Sequence, residues 1–360
     1  MELPIAAGVD FRAAVEALLE EFLRGREQAA RLAGLPAEVP AVLLEFVRAG
    51  GKRVRPLLCG LGWQAAGGGR AEGGAEGVVV RVAASLELFH AFALIHDDLM
   101  DRSDLRRGRP TVHRRLAARA RDGRGSAGAQ RLGESGAVLV GDVALAWSAE
   151  LLHTAGLASP QLAAALARTD AMRTAVMYGQ YLDLLATGHP GPDMALPLKV
   201  IRYKTAGYTF EHPLLLGAEL ADADPRLLGA LSAYGMAAGE AFQLHDDLLG
   251  VFGRPGQTGK PVLDDLREGK HTVLLALAYQ RADAGQLRVL RRWVGDPQLS
   301  EDQAVLVRAV LERTGARAEV EALVRARSRQ AVEALDAAPV PCEVQRKLAE
   351  FAQAMTVRCA

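Results

Sequence analysis

Apolar residues recur at three- and four-residue spacing in segment after segment of the chain, the period of amphipathic α-helices rather than the two-residue alternation of strands. The pattern predicts helices over Phe11–Leu32, Val39–Ala49, Val78–Met100, Ala137–Leu152, Leu162–Thr187, Arg226–Leu249, Thr272–Arg281, Asp302–Thr314 and Ala316–Leu335. Alanine and leucine dominate and β-branched runs are short, which suits helix propensity. The helix begun at Val39 should stop at the Gly50-Gly51 pair. Two tracts break the period: 67–77 is glycine-rich and 117–135 is an Ala/Arg/Gly tract, and both are expected to be mobile loops. Neither has the proline content of a linker, so residues 1–360 read as a single large all-α domain.

Composition narrows the chemistry. Among 360 residues, 43 Lys and Arg balance 43 Asp and Glu, which removes the sustained positive field that nonspecific nucleic-acid binding needs. Any anion site must then be local. Three scattered cysteines, Cys59, Cys342 and Cys359, make neither a disulfide framework nor a thiolate metal site. No leader pattern opens the sequence, and uninterrupted apolar stretches such as Val273–Ala278 fall short of the ~20 residues of a membrane span. A cytoplasmic protein without a membrane span is expected. Only six of the basic residues are lysine, and asparagine is absent. In a chain this rich in arginine, each lysine is a candidate for a place that needs a compact ammonium.

The most informative feature is an internal near-repeat, Ala91-Phe-Ala-Leu-Ile-His-Asp-Asp-Leu-Met-Asp101 and Ala241-Phe-Gln-Leu-His-Asp-Asp-Leu-Leu-Gly250. On a helix Asp97 and Asp101 share a face, with Asp98 three residues before Asp101. Clustered carboxylates repel one another unless a cation or a basic side chain compensates, and an oxygen-only donor set suits Mg²⁺ better than zinc. The second copy ends in Gly250, leaving Asp246 and Asp247. A phosphohydrolase-type His-Asp metal site is disfavoured: His90 lies two turns before Asp97, but the second copy has no equivalent.

Mg²⁺ held by few carboxylates usually carries substrate phosphates, and the chain supplies matching cations. Lys52, Arg53 and Arg55 follow the Gly50-Gly51 hinge, Arg106-Arg107 follows the first acidic motif, and Lys204-Thr205 sits in a mid-chain helix. Lys260 and Lys270, each after a glycine, follow the second acidic motif, with Asp264-Asp265 between them. Arginine offers phosphate a bidentate fork and lysine a point charge.

These elements together resemble the trans-isoprenyl diphosphate synthases, or polyprenyl synthetases. The matching runs are Gly50-Gly-Lys-Arg-Val-Arg-Pro56, His90, Asp97-Asp98-Leu-Met-Asp101 with Arg106-Arg107-Gly-Arg-Pro-Thr, Gly179-Gln-Tyr-Leu-Asp183, Lys204-Thr205, and Phe242-Gln243-Leu-His-Asp246-Asp247 with Thr258-Gly-Lys260 and Asp264-Asp265-Leu-Arg-Glu-Gly-Lys270. They come in family order between about 40 and 280. Gly250 departs from the pattern, since many members carry an Asp there. The resemblance implies an all-α bundle around a central active-site cavity, and a head-to-tail condensation of isopentenyl diphosphate with an allylic diphosphate (dimethylallyl, geranyl or farnesyl). It implies Mg²⁺ as cofactor, held by Asp97, Asp98, Asp101, Asp246 and Asp247, and a homodimer. It further implies that Arg106, Lys204, Thr205, Gln243, Lys260 and Lys270 serve the allylic diphosphate, and that Lys52, Arg55, His90 and Arg107 bind isopentenyl diphosphate without metal. Thr205 and Gln243 are expected to turn oxygen dipoles toward the allylic cation. A class I terpene cyclase is disfavoured because its usual second metal motif needs Asn; a noncatalytic synthase subunit typically lacks aspartates or arginines that are intact here.

Product length is expected to depend on the helix leading into Asp97. Ala93 lies one turn before Asp97, Phe92 five residues before, and Phe89 one turn further. A bulky fifth and a small fourth residue before the motif resemble synthases that stop at geranylgeranyl diphosphate, C20. Farnesyl diphosphate, C15, or a longer chain is the alternative, and packing between helices is the competing reading of the two aromatics.

Overall fold

The computed structural model describes residues 10–68, 75–120, 125–253, 263–336 and 338–357. The chain divides into two compact units, Met1–Ala164 and Ala165–Ala360. In the first, helices α1 (Phe11–Leu32), α2 (Glu38–Arg48), α3 (Val54–Ala65) and α4 (Ala75–Met100) precede a two-stranded hairpin, β1 (Leu105–Arg106) with β2 (Arg109–Pro110), and then α5 (Val112–Arg119) and α6 (Ser126–His153). Helix α7 (Ser159–Ala186) carries the unit boundary. The second unit continues with α8 (Ala195–Val200), which runs into a π-helix (Ile201–Glu211), then α9 (His212–Glu219) and α10 (Pro225–Phe252). It ends with α11 (Asp264–Glu268), α12 (Val273–Arg281), α13 (Ala284–Trp293), α14 (Glu301–Arg313), α15 (Ala316–Asp336) and α16 (Cys342–Val357). The protein is all-α, as expected, the short hairpin being the only strand pair among the described residues.

Local chemistry explains the helix ends. The Asp10 carboxylate accepts from the Arg12 N–H at 2.9 Å and caps α1, and Asp224 caps α10 in the same way. Asp283 with Gln286 and Ser300 with Gln303 form capping boxes that start α13 and α14. In unit 1, Phe11, Val15, Leu19 and Leu23 recur every four residues and are fully buried, each such burial contributing about 1.5–3 kcal/mol. They face a core built on α4, which packs on α1, α3 and α6. In unit 2, α10 packs between the π-helix and α15. The buried Tyr234 hydroxyl on α10 donates to the Leu348 carbonyl of α16 at 2.9 Å.

The loop expected over 117–135 is corrected: α5 continues through Arg119 and α6 already starts at Ser126. Ala129, Gly133 and Ala137 form a buried stripe of small residues on α6, where α5 packs, and a Cβ at Gly133 would strike the His113 carbonyl. Small residues carry close helix contact yet little apolar signal, so a hydrophobicity pattern passes over them. Within the glycine tract at 67–77, α4 opens at Ala75, and 69–74 lie outside the described residues. Both α4 (Glu76–Met100) and α6 are long and apolar enough by composition to cross a bilayer, contrary to the short stretches read from the sequence. The most apolar window of α4 is 72% buried inside the protein and that of α6 39%, and α4 has the place of a core helix.

Candidate active site

Helix α4 positions the first acidic motif at its C-terminal end. Asp101 N–H donates to the Asp97 carbonyl at 2.9 Å, so the helical turn carries through and keeps the two carboxylates on one face. Asp98 points elsewhere. It is buried, and Arg106 of β1 grips it, Nε lying 2.7 and 2.8 Å from its two oxygens, while Nη2 reaches Asp97 Oδ2 at 3.3 Å. The compensating cation for the aspartate cluster is thus a side chain already present, and Asp98 is placed to orient Arg106.

The basic cluster lies against the same helix. His90 is two turns before Asp97, about 10 Å along the axis at 1.5 Å per residue. Burial, reinforced by the charges of Arg55, Arg107, Arg106 and Arg53, holds its imidazole well below the usual histidine range, so it is neutral. Burial also lowers the Arg107 pKa, opposed by Glu87 and assisted by Arg53, Arg106 and Arg55. Four guanidiniums and one neutral imidazole with N–H capacity therefore share one neighbourhood. Arg55 is buried and Lys52 exposed. Helix α3 begins between them without a side-chain cap, and an uncapped helix N-terminus flanked by cations favours an anion.

In unit 2 the π-helix presents Lys204 and Thr205. A π-helical run is uncommon and accompanies functional sites. Gly179 of α7 lets this segment approach closely: a Cβ there would lie 2.5 Å from the Lys204 nitrogen and 2.8 Å from the Tyr203 carbonyl carbon. The Lys204 ammonium pairs with Asp183, one turn beyond Gly179, at 2.6 Å. The Thr205 hydroxyl donates to Gln243 Oε1 at 2.7 Å, and Gln243 Nε2 donates to Asp247 Oδ1 at 2.8 Å. In this arrangement Gln243 spends its oxygen on Thr205 rather than on a ligand. Asp247 is buried and its carboxyl is pushed up to about 8, by burial first and then by Asp265 and Asp246, against the Gln243 hydrogen bond and Lys270. Asp246 is exposed.

The absent acid at position 250 has a structural counterpart. A Cβ at Gly250 would overlap Asp265 Oδ2 and stand 3.1 Å from Asp265 Cγ. The Asp265 carboxylate thus fills the space into which a side chain at 250 would project, one turn after Asp246 and on its face. Lys270 Nζ lies 3.4 Å from Asp265 Oδ1 and 3.6 Å from Glu268 Oε2. Lys260 falls outside the described residues.

The donors at these positions are carboxylate oxygens, which suit Mg²⁺. Among the described residues no three His, Cys, Asp or Glu side chains close around one ion by themselves. Oxygen-only carboxylates too few for a protein cage fit Mg²⁺ that is shared with phosphate oxygens.

A family model for the polyprenyl synthetases matches residues 36–312. The chain belongs to the polyprenyl synthetase family. It is a prenyltransferase, and enzymes of this family generally use Mg²⁺ and take isopentenyl and allylic diphosphates as substrates. The chain is 34% identical over 284 residues to the geranylfarnesyl diphosphate synthase of Aeropyrum pernix, covering 78% of this chain and 81% of that protein. It is 33% identical over 307 residues to the (2E,6E)-farnesyl diphosphate synthase of Mycobacterium tuberculosis, covering 84% and 78%. The crystal structure of geranylgeranyl pyrophosphate synthase from Corynebacterium glutamicum, complexed with isoprenyl diphosphate and magnesium, superposes with a TM-score of 0.91 at 41% identity, covering 97% of this chain and 98% of that one.

Three contributors went unread in the sequence. Glu87 looks like one more polar residue in an apolar helix, Asp183 was seen only as part of a motif, and the contact of Asp265 with position 250 joins two elements whose proximity no spacing rule reveals.

Proposed function

We propose that this enzyme condenses isopentenyl diphosphate with an allylic diphosphate and releases geranylgeranyl diphosphate, C20. The observation that carries the reading is that helix α4 brings a carboxylate face at its C-terminal end, Asp97 and Asp101, and a basic cluster around His90, Arg55 and Arg107 into one unit. Two diphosphates, one held through metal and one not, match those two neighbourhoods.

Asp97, Asp101, Asp246 and Asp247 would hold Mg²⁺, which when bound supplies charge neutralisation for a departing diphosphate. Arg106, Lys204, Lys260 and Lys270 add positive charge to the same leaving group, and Asp98 and Asp183 orient the first two of them. As the allylic C–O bond breaks, the diphosphate leaves with the electron pair. Lys52, Arg55, His90 and Arg107 present the double bond of isopentenyl diphosphate to the allylic cation; a C–C bond forms, and a proton is lost to the departed diphosphate alongside. No protein base is needed. The family match, residues 36–312, includes both acidic motifs.

The C20 assignment draws on Phe92 at the fifth position before Asp97. Its ring is buried and packs on Phe89 at 5.4 Å and on His96 at 4.7 Å between centroids, while Ala93 is half-buried. The Corynebacterium structure named above as a geranylgeranyl pyrophosphate synthase supports it too. We further propose a homodimer, in keeping with the exposed apolar faces of α6 (Leu132, Val138, Leu139) and α7 (Tyr178, Tyr181, Leu185). We also propose a cytoplasmic enzyme without a membrane span, a reading supported by the burial of α4 and the free thiols of Cys59 and Cys342. The test is chromatography of products formed from isopentenyl diphosphate with dimethylallyl, geranyl or farnesyl diphosphate, with Mg²⁺ and with a chelator. A Mg²⁺-dependent C20 product is expected; C15 as the end product would overturn the length assignment, and no condensation with any primer the activity.

A further inference from the structure

The turn that carries Lys52 and Arg55 is an unfavourable piece of backbone. Gly50 and Gly51 have φ of 84° and 148°, and Arg53, which has a Cβ, sits at φ 50° in the left-handed region. A non-glycine residue there costs of order 1–3 kcal/mol and persists only where its surroundings over-determine it. Here they do. Arg53 is 5% exposed and each of its three guanidinium nitrogens donates: Nη1 to Glu87 Oε1 at 2.5 Å, Nη2 to the Val47 carbonyl at 2.7 Å, and Nε to Glu16 Oε1 at 3.1 Å. Glu16 also accepts from Arg12 Nε at 3.2 Å, and Arg12 Nη2 donates to the Gly51 carbonyl at 3.2 Å. Arg107 donates to the Gly50 carbonyl.

Three helices, α1, α2 and α4, therefore grip one turn through a single buried cation. Glu87 is 4% exposed and lies one turn before His90, so the same carboxylate that anchors Arg53 sits under the histidine of the basic cluster. Its Oε2 is buried without a hydrogen-bond partner, and its charge acts on Arg107 as well. A basic cluster of Arg53, Arg55, Arg106 and Arg107 would repel itself apart without a carboxylate beneath it. Arg12 and Glu16 lie before residue 36, outside the segment that matches the family.

We propose that Arg53 and Glu87, braced by Glu16 and Arg12, are positioning residues of the isopentenyl diphosphate pocket. They set the turn that aims Lys52 and Arg55 and do not themselves touch substrate. The inference rests on the assignment of Lys52, Arg55, His90 and Arg107 to that substrate. It also gives Arg53 a role of its own among the three basic positions 52, 53 and 55: its guanidinium is held by α1, α2 and α4 together.

Removing one partner of a buried pair risks unfolding, whereas replacing both by apolar groups of similar volume is often tolerated. The decisive variant is therefore Arg53→Met/Glu87→Leu in the full-length enzyme, beside Glu87→Asp, which keeps the charge, and Lys52→Ala as a reference. Steady-state kinetics would vary each substrate in turn, with thermal unfolding measured in parallel. The double variant should fold with a melting temperature near wild type and show a KM for isopentenyl diphosphate raised about 10-fold or more, as for a group misplaced by roughly 1 Å. Its KM for the allylic substrate should stay within about twofold. Glu87→Asp should recover part of the loss. A folded double variant with wild-type KM for isopentenyl diphosphate, while Lys52→Ala raises it, overturns this proposal alone. If Lys52→Ala also leaves that KM unchanged, the pocket assignment beneath it fails instead.

Discussion

Replacing Gly179 by alanine tests how the π-helix delivers Lys204. The added methyl would lie 2.5 Å from the Lys204 backbone nitrogen, 2.8 Å from the Tyr203 carbonyl carbon and 2.9 Å from the Lys204 Cα. Ordinary non-bonded contact is ~3.5–4.0 Å, so α7 and the π-helix must separate by about 1 Å. Every struck atom is backbone, and no side-chain rotation can relieve the clash. Overpacking of this kind costs about 1–3 kcal/mol. With an unfolding entropy of ~2.1 cal/mol/K per residue, a cooperative unfolding of all 360 residues turns 2 kcal/mol into a fall of about 3 °C in melting temperature. The functional effect should be larger than the stability effect, because the shift falls on the residue that carries the ammonium and on its 2.6 Å bond to Asp183. A misplacement near 1 Å at a charge-stabilising group costs up to about 100-fold. The assay is calorimetry together with steady-state kinetics: kcat/KM for the allylic substrate should fall by at least 10-fold, while KM for isopentenyl diphosphate is unchanged. Wild-type kinetics in a variant whose melting temperature has dropped would refute the link between this contact and Lys204.

Asp97→Ala and Asp101→Ala should abolish Mg²⁺-dependent condensation with the helical circular dichroism retained, whereas Asp98→Ala should destabilise the fold by about 1.5–3 kcal/mol in a denaturant titration, because Arg106 loses its two shortest contacts and keeps the 3.3 Å one to Asp97. Gly250→Asp should weaken Mn²⁺ binding in the presence of pyrophosphate, read by electron paramagnetic resonance, since the new side chain meets Asp265; adding Asp265→Gly should restore it. Phe92→Ala with Phe89→Ala should lengthen the product by one or more C5 units on chromatography, and an unchanged product distribution would show both rings to be packing only. Burial pushes the Cys59 thiol up to about 12 from the usual 9, so the folded state keeps a proton that the unfolded chain releases. That stability is present below pH 9 and is lost as pH rises toward 12, at about 1.4 kcal/mol per unit. Urea midpoints at pH 8.5 and 10.5 should diverge less in Cys59→Ala than in wild type.

The parts of this protein that could be read from sequence are those whose cause is periodic or local. Helix α1 spans the Phe11–Leu32 that its apolar period predicts, because that period is a local signal that needs no help from elsewhere. The doubled acidic motif was legible for the same reason: Asp97 and Asp101 are one helical turn apart whatever surrounds them. The limits arise where a side chain's partner comes from a distant segment. Lys52, Arg53 and Arg55 all read as phosphate-binding cations in the sequence, and the role of Arg53 depends on a carboxylate 34 positions away. The resemblance gives Arg106 to substrate phosphate, and its guanidinium is also the counter-ion of Asp98. Gly250 read as a defect in the second motif, because the carboxylate occupying its space belongs to α11. In each case the letter that mattered was an ordinary one: Glu87 and Asp98 are made specific by burial beside a charge, and Asp265 by its packing against Gly250. Charge pairs of this kind have no period, so hydrophobic patterning cannot find them. A buried acid in an otherwise apolar helix is nevertheless a usable signal: Glu87 in Ala83–Ile95 is costly to bury alone, and that cost by itself implies a cation from another element.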